Sequence, residues 1–198
     1  MPESKKQKFN HLKIHTQYSI CEGAIKIDDL KGFCKENKIP SLGLSDTSNL
    51  CGALEFAENI SKIGTQPIIG TQIFFKFDDT IGLLPLIALN EKGYKRIIEL
   101  SSKSYLENDA LSDPHLDIKE LLNDTDGVIV LSGTIHGLFG KLFEKGRLVE
   151  ISKLYKELLS KFNDRFYLEI QRHGDQNEIS FEKFNLKKSS EIKIPIIA

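Results

Sequence analysis

Four short stretches of this 198-residue sequence place residues capable of binding or acid–base chemistry where strands should end. In HLKIHTQYS (11–19), period-two alternation puts His11, Lys13 and His15 on one face of a strand, with 16–22 as the loop that follows. Imidazoles at a strand end can converge on a metal ion. Two isolated histidines on a strand are nevertheless more often hydrogen-bonded structural groups than ligands, and a lysine between them repels a cation. In LSDTSNLCGALEF (44–56), Asp46 stands at the end of a strand, and Ser48 or Asn49 is placed to cap the next helix. Capping is a sufficient account of that segment, although a strand-end carboxylate can also bind metal or orient a histidine. IQRHG (170–174) sets His173 just past another strand, and His136 follows GVIVLSG in 134–137.

Other chemistries are excluded by pattern. The first strand is not followed by GxGxxG, and GxxxxGK[ST], GxSxG and HExxH are absent from the sequence, which removes the common nucleotide, hydrolase and zincin readings. Cys21, Cys34 and Cys51 have neither CxxC spacing nor an even count, so they read as reduced thiols of a cytoplasmic protein. Lys153, Lys156, Lys161, Lys187 and Lys188 alternate with glutamates and read as solvated helix faces.

The elements that position these residues alternate. Strands are expected at 9–15, 41–45, 67–75, 83–90, 127–133, 165–171 and 192–198, and helices at 25–38, 51–63, 91–107, 116–123, 137–145, 148–162 and 176–191. Pro85 makes the register of its strand uncertain, and the stretch between 107 and 116 reads as an exposed loop. Strand–helix alternation implies a mainly parallel sheet covered by helices, doubly wound or closed into a barrel. A length of 198 residues with 40% hydrophobic composition fits one domain, with 1–8 as a frayed polar tip. The ending directly after a strand suggests that the natural domain continues beyond Ala198. With 27 basic and 28 acidic residues there is no bulk attraction to nucleic acid, and no stretch is long enough to span a membrane.

In order and spacing, FNHLKIHTQYSICEGAIKI, PSLGLSDTSNLCGALEF, QPIIGTQIFF, LIALNEKGYKRIIELSSKSYLE, GVIVLSG and RFYLEIQRHG resemble the PHP (polymerase and histidinol phosphatase) domain at the N-terminus of bacterial DNA polymerase III alpha subunits. The combination of YSxxxGA with SDxxNLxGAxEF looks like the polymerase branch rather than the free-standing phosphoesterases. The resemblance implies an α/β fold, a distorted (β/α)7 barrel here truncated near its last strands, in which active members collect His and carboxylate ligands at the strand ends.

Mapped residue by residue, His15 keeps a histidine of the first motif, and Glu22 stands where an aspartate is usual. Lys13 replaces the other first-motif histidine. Asp46 is kept, Thr47 replaces a histidine, and Gln72 replaces a glutamate. Leu83 falls where a histidine belongs, Thr134 replaces a ligand, and His173 survives. Any residual metal, Zn2+ or Mn2+, would fall to His15, Glu22 and His173. The set implies a vestigial site with no metal and no catalysis, in which the Lys13 ammonium takes the place of a cation and binds Glu22 or Asp46. The resemblance further implies a longer parent chain that is a Mg2+-dependent DNA-directed DNA polymerase. Its expected partners are DNA, contacted through the rest of the chain, the proofreading exonuclease (epsilon) subunit and other holoenzyme subunits. Two other readings are an active metal-dependent phosphoesterase or 3′–5′ exonuclease, and a protein-binding module unrelated to replication.

Overall fold

The computed structural model describes residues 9–108 and 112–198. The tip 1–8 and residues 109–111 of the expected loop lie outside the described residues. The chain runs through α1 (Ile27–Asn37), β1 (Ser41–Thr47), α2 (Ala53–Ser61), β2 (Gln66–Phe77), β3 (Thr80–Ala88) and α3 (Glu91–Leu106). It continues with β4 (Leu116–Asp117), α4 (Ile118–Asn123), β5 (Val128–Leu131), α5 (Leu138–Glu144), α6 (Leu148–Phe162), β6 (Phe166–Glu169), α7 (Glu178–Ile192) and β7 (Ile196–Ile197). Every expected helix is present to within two residues at either end.

The sheet runs β1-β2-β3-β5-β6-β7, with β4 paired to β2. It is mixed rather than mainly parallel, because β3 is antiparallel to both β2 and β5. The cause is the two-residue connection Asp78–Asp79, with Asp78 at φ 52°, since so short a link can join only antiparallel strands. Pro85 lies opposite Gln72 on β2, while pairing with β5 begins at Leu86, so the missing N–H falls outside the β3–β5 ladder. β2 pairs with β1 along 66–72 and with β3 along 70–77, and this hand-over along one long strand curls the sheet into a partial barrel.

Two expected strands are corrected. Residues 9–15 form no ladder: Ile14 makes a single parallel bridge to Leu44, and a second bridge joins Thr16 to Ile25. The segment crosses β1 closely, with Gly43 N donating to His11 O (2.7 Å) and Ile14 N to Gly43 O (3.0 Å). A Cβ at Gly43 would sit 2.4 Å from Leu12 O, so only glycine admits this crossing. At the other end, α7 continues to Ile192, Lys193 closes it in the left-handed region, and only Ile196–Ile197 pairs with β6.

Most of the core lies between the sheet and α3–α7, around Phe75, Leu84, Phe139, Tyr155 and Phe166. A smaller cluster of Ile27, Leu42, Leu44, Phe56 and Ile60 fills the space beneath α1 and α2, and Ile14 packs onto it. With Ile14 pinned there, alternation turns Lys13 and His15 the other way. No helix among the described residues is long and apolar enough to cross a membrane.

Candidate site at the strand ends

Register brings the site together. Ile14 is level with Leu44, and Thr47 with Gln72, so His15, Asp46, Thr47 and Gln72 lie within two residues of one another along adjacent segments of the sheet. Asp46 is fully buried. Its Oδ1 accepts from Thr16 N (2.6 Å) and Ser19 Oγ (2.7 Å), and its Oδ2 from Thr16 Oγ1 (2.8 Å). A single carboxylate thus folds the 16–19 turn against the end of β1, through hydrogen bonds of the stronger, charge-assisted kind.

On that turn stand the next contacts. Glu22 accepts from Thr47 Oγ1 (2.5 Å) and lies 3.7 Å from His15 Nδ1. With Gln72 Nε2 donating to His15 Nε2 at 3.0 Å, the imidazole proton sits on Nδ1, facing Ser19 Oγ at 3.4 Å. Ser19 gives its own proton to Asp46 and also accepts from Thr47 N (3.1 Å), so His15 is not poised as its base.

Burial lowers the His15 pKa, with Glu22 opposing it, Lys13 reinforcing it, and Asp46 and Glu169 opposing it more weakly. The sign follows: above about pH 6.5, the ordinary imidazole value, folded and unfolded chains are both neutral here. Below it the unfolded chain takes up the proton first, so stability falls as the pH drops from about 6.5 toward the folded-state pKa. Replacing His15 by Gln is expected to flatten that part of the profile, as measured by urea midpoints between about pH 5 and 8.

Lys13 does not bind Glu22 or Asp46. Its ammonium lies 2.8 Å from Glu169 Oε1 at the end of β6, with the two side chains 13% and 5% exposed. Residue 13 sits one step before His15 on that face, which carries its long side chain away from the 16–22 turn toward β6. Gln171 Nε2 donates to the same oxygen (2.5 Å), and Glu169 Oε2 has no partner among the described residues. Sequence reasoning passed over Glu169. The signal is in the sequence: Glu169 closes the apolar strand FYLE as Asp46 stands near the end of β1.

The remaining candidates make none of these bonds, although His11 and His173 line the same cleft as Lys13 and Glu169, and Thr134 lines a small cavity beside Glu169. Leu83 is opposite Phe74 within β3. Thr134 Oγ1 accepts from His136 N (3.2 Å). His173 is 74% exposed, with Nδ1 3.5 Å from Glu178. That glutamate accepts from the backbone N–H groups of His173, Gly174 and Asp175, at 2.8, 2.9 and 3.1 Å. His136 is exposed, 3.6 Å from Asp175. His11 meets the rings of Phe9 and Phe33. Among the described residues, no group of three or more His, Cys, Asp or Glu is placed to hold a metal ion. Ser48 and Asn49 do not cap α2, whose N-cap is Gly52 without a side-chain bond. Ser48 is left-handed at φ 58°, and Asn49 accepts from Cys51 N (3.1 Å) in a turn one step too early.

A curled mixed sheet with polar residues gathered at its strand ends defines the class: the chain belongs to the PHP domain family, whose model matches residues 11–173. A crystal structure from Bifidobacterium adolescentis, described as a metal-dependent phosphoesterase, shares the fold with a TM-score of 0.61 at 12% identity, covering 94% of this chain and 85% of that one. More particularly, the chain is similar to the N-terminal region of DNA polymerase III subunit alpha. It is 35% identical to that of Caulobacter vibrioides over 211 residues, covering all of this chain and 18% of the relative. It is 33% identical to that of Vibrio cholerae over 194 residues, covering 96% of this chain and 17% of the relative. The chain therefore spans less than a fifth of the length of these relatives.

Proposed function

We propose that this chain is a catalytically silent, metal-free scaffold module of a cytoplasmic replicative polymerase alpha subunit. In this reading it braces the polymerase and offers a docking surface to the proofreading exonuclease subunit, while DNA, deoxynucleotides and Mg2+ belong to the remainder of the parent protein. The largely buried Lys13–Glu169 pair carries the proposal. A PHP site of the active kind implies transition-metal ions, and the donors present do not fit them. Lys13 is a fixed ammonium, Thr47 and Thr134 offer hydroxyls, Gln72 an amide and Leu83 nothing, whereas such ions take imidazole and carboxylate. Beside β1 the adjoining donors His15 and Glu22 are already bonded to Gln72 and Thr47, and the other His–carboxylate neighbours, His136 with Asp175 and His173 with Glu178, have exposed imidazoles.

The test is hydrolysis. With Zn2+, Mn2+ or Mg2+ added, the protein is expected to cleave neither bis(p-nitrophenyl) phosphate nor 3′-labelled single-stranded DNA above a metal-only blank. Metal-dependent turnover that is abolished in His15→Ala would overturn the proposal in favour of an active phosphoesterase. For the docking role, co-elution with the exonuclease subunit of the same organism is the expected result.

A further inference from the structure

Helices α6 and α7 leave an open groove of about 450 Å3 between them. Its floor is apolar: Leu148 and Val149 are 42% and 65% exposed, and half-buried Phe184 faces them from α7. Its rim holds Lys153 and Lys156 from α6 and Lys187 and Lys188 from α7. These lysines read as separate solvated faces in the sequence, and the packing of the two helices gathers them.

Among the described residues, one carboxylate is ion-paired with them, Glu191, 2.7 Å from Lys188 and 3.9 Å from Lys187. The hydrogen bond from Lys188 holds its carboxyl below the ordinary range against the effect of burial, with Lys187 and Lys156 adding to the pull. Lys153 and Lys156 have no ion-pair partner among the described residues. A chain of net charge −1 thus carries a local positive excess over an exposed apolar strip.

We propose that this groove docks an acidic peptide segment of a protein partner. The partner's apolar side chains sit over Leu148 and Val149, beside the Phe184 ring that Lys188 covers, and its carboxylates meet Lys153, Lys156 and Lys187. The stretch of α6 from Leu148 to Lys156 is about 12 Å long at 1.5 Å per residue, enough for two turns of a bound helix. Nucleic acid fits less well. The Phe184 ring is covered by the Lys188 ammonium at 5.7 Å, which removes the platform a base would stack on, and aliphatic floor residues do nothing for phosphates. The proposal is independent of the role assigned to the strand-end residues.

The experiment is an NMR titration of the 15N-labelled chain with three probes of equal charge: a Glu-rich peptide bearing Leu and Phe on one helical face, a Glu/Ser peptide, and an oligothymidylate. The apolar acidic peptide is expected to shift α6 and α7 amides saturably and to bind about tenfold tighter than the Glu/Ser peptide. The variant K153E/K187E should lose about tenfold in affinity with an unchanged thermal melt. If that variant melts differently, Val149→Ser, which keeps every lysine, should show the loss instead. Equal binding of the Glu/Ser peptide, preference for oligothymidylate, shifts elsewhere, absence of binding, or undiminished affinity in the variants would overturn it.

Discussion

Replacing Lys13 by methionine should destabilise the protein by about 3–5 kcal/mol, because it strands a buried carboxylate. Glu169 is 5% exposed and its Oε2 already lacks a partner, so only the Gln171 amide would remain. For a chain of this size the loss corresponds to roughly 6–20 °C in the melting temperature. Removing both charges, in K13M/E169L, should restore most of it, since an apolar pair of similar volume often matches a buried ion pair. Urea denaturation of the two single variants and the double variant gives the coupling between the partners directly. A K13M protein within about 1 kcal/mol of the unmodified chain would show that the pair behaves like a solvent-screened surface bridge, and the charge-substitution argument would fall with it.

Loss of the Asp46 carboxylate is the second large effect expected. Asp46→Ala leaves Thr16 N, Thr16 Oγ1 and Ser19 Oγ without their acceptor inside a buried turn, at about 3–4 kcal/mol, less than the separate bonds would total because they act as one unit. Asp46→Asn keeps the acceptor at Oδ1 and changes only the atom that meets the Thr16 hydroxyl, which can rotate to accept. It should cost about 1 kcal/mol. Amide exchange at Thr16 distinguishes the two, being fast in the alanine variant and near its original rate in the asparagine one. Fast exchange without a shift of the urea midpoint would mean that the turn is an ornament of the fold rather than part of its cooperative unit.

Much of this architecture was legible from periodicity. Amphipathic helices such as α6, with Ile151, Leu154, Tyr155, Leu158 and Phe162 buried, announce their core face through spacing alone. The hairpin of β2 and β3 was not legible, because Asp78–Asp79 lacks the glycine that usually marks a two-residue turn. The 9–15 segment reads as a strand, yet its crossing over Gly43 depends on a backbone approach that no alternation pattern encodes. At the site, the resemblance pointed to the positions from which the His15, Glu22, Thr47 and Gln72 contacts are built. It did not give the partner of Lys13, because that contact spans 156 positions of sequence and depends on how the sheet curls β6 toward the N-terminal segment.

The groove between α6 and α7 illustrates the same limit at the surface. Lys153 and Lys187 are unremarkable on their own helices, and only helix packing makes them rims of a single feature. Likewise Glu178 looks like a first-turn helix residue, while in the fold it gathers three backbone N–H groups of the loop that carries His173.

The central claim is that the residues at the strand ends hold one another in place of a metal ion. It is tested most directly by elemental analysis of the purified chain after incubation with zinc and manganese and exhaustive dialysis. The account predicts far less than one ion per chain, with no difference between the unmodified protein and His15→Ala. Close to one ion per chain, lost in His15→Ala, would contradict it and return the site to the metal-binding members of the family.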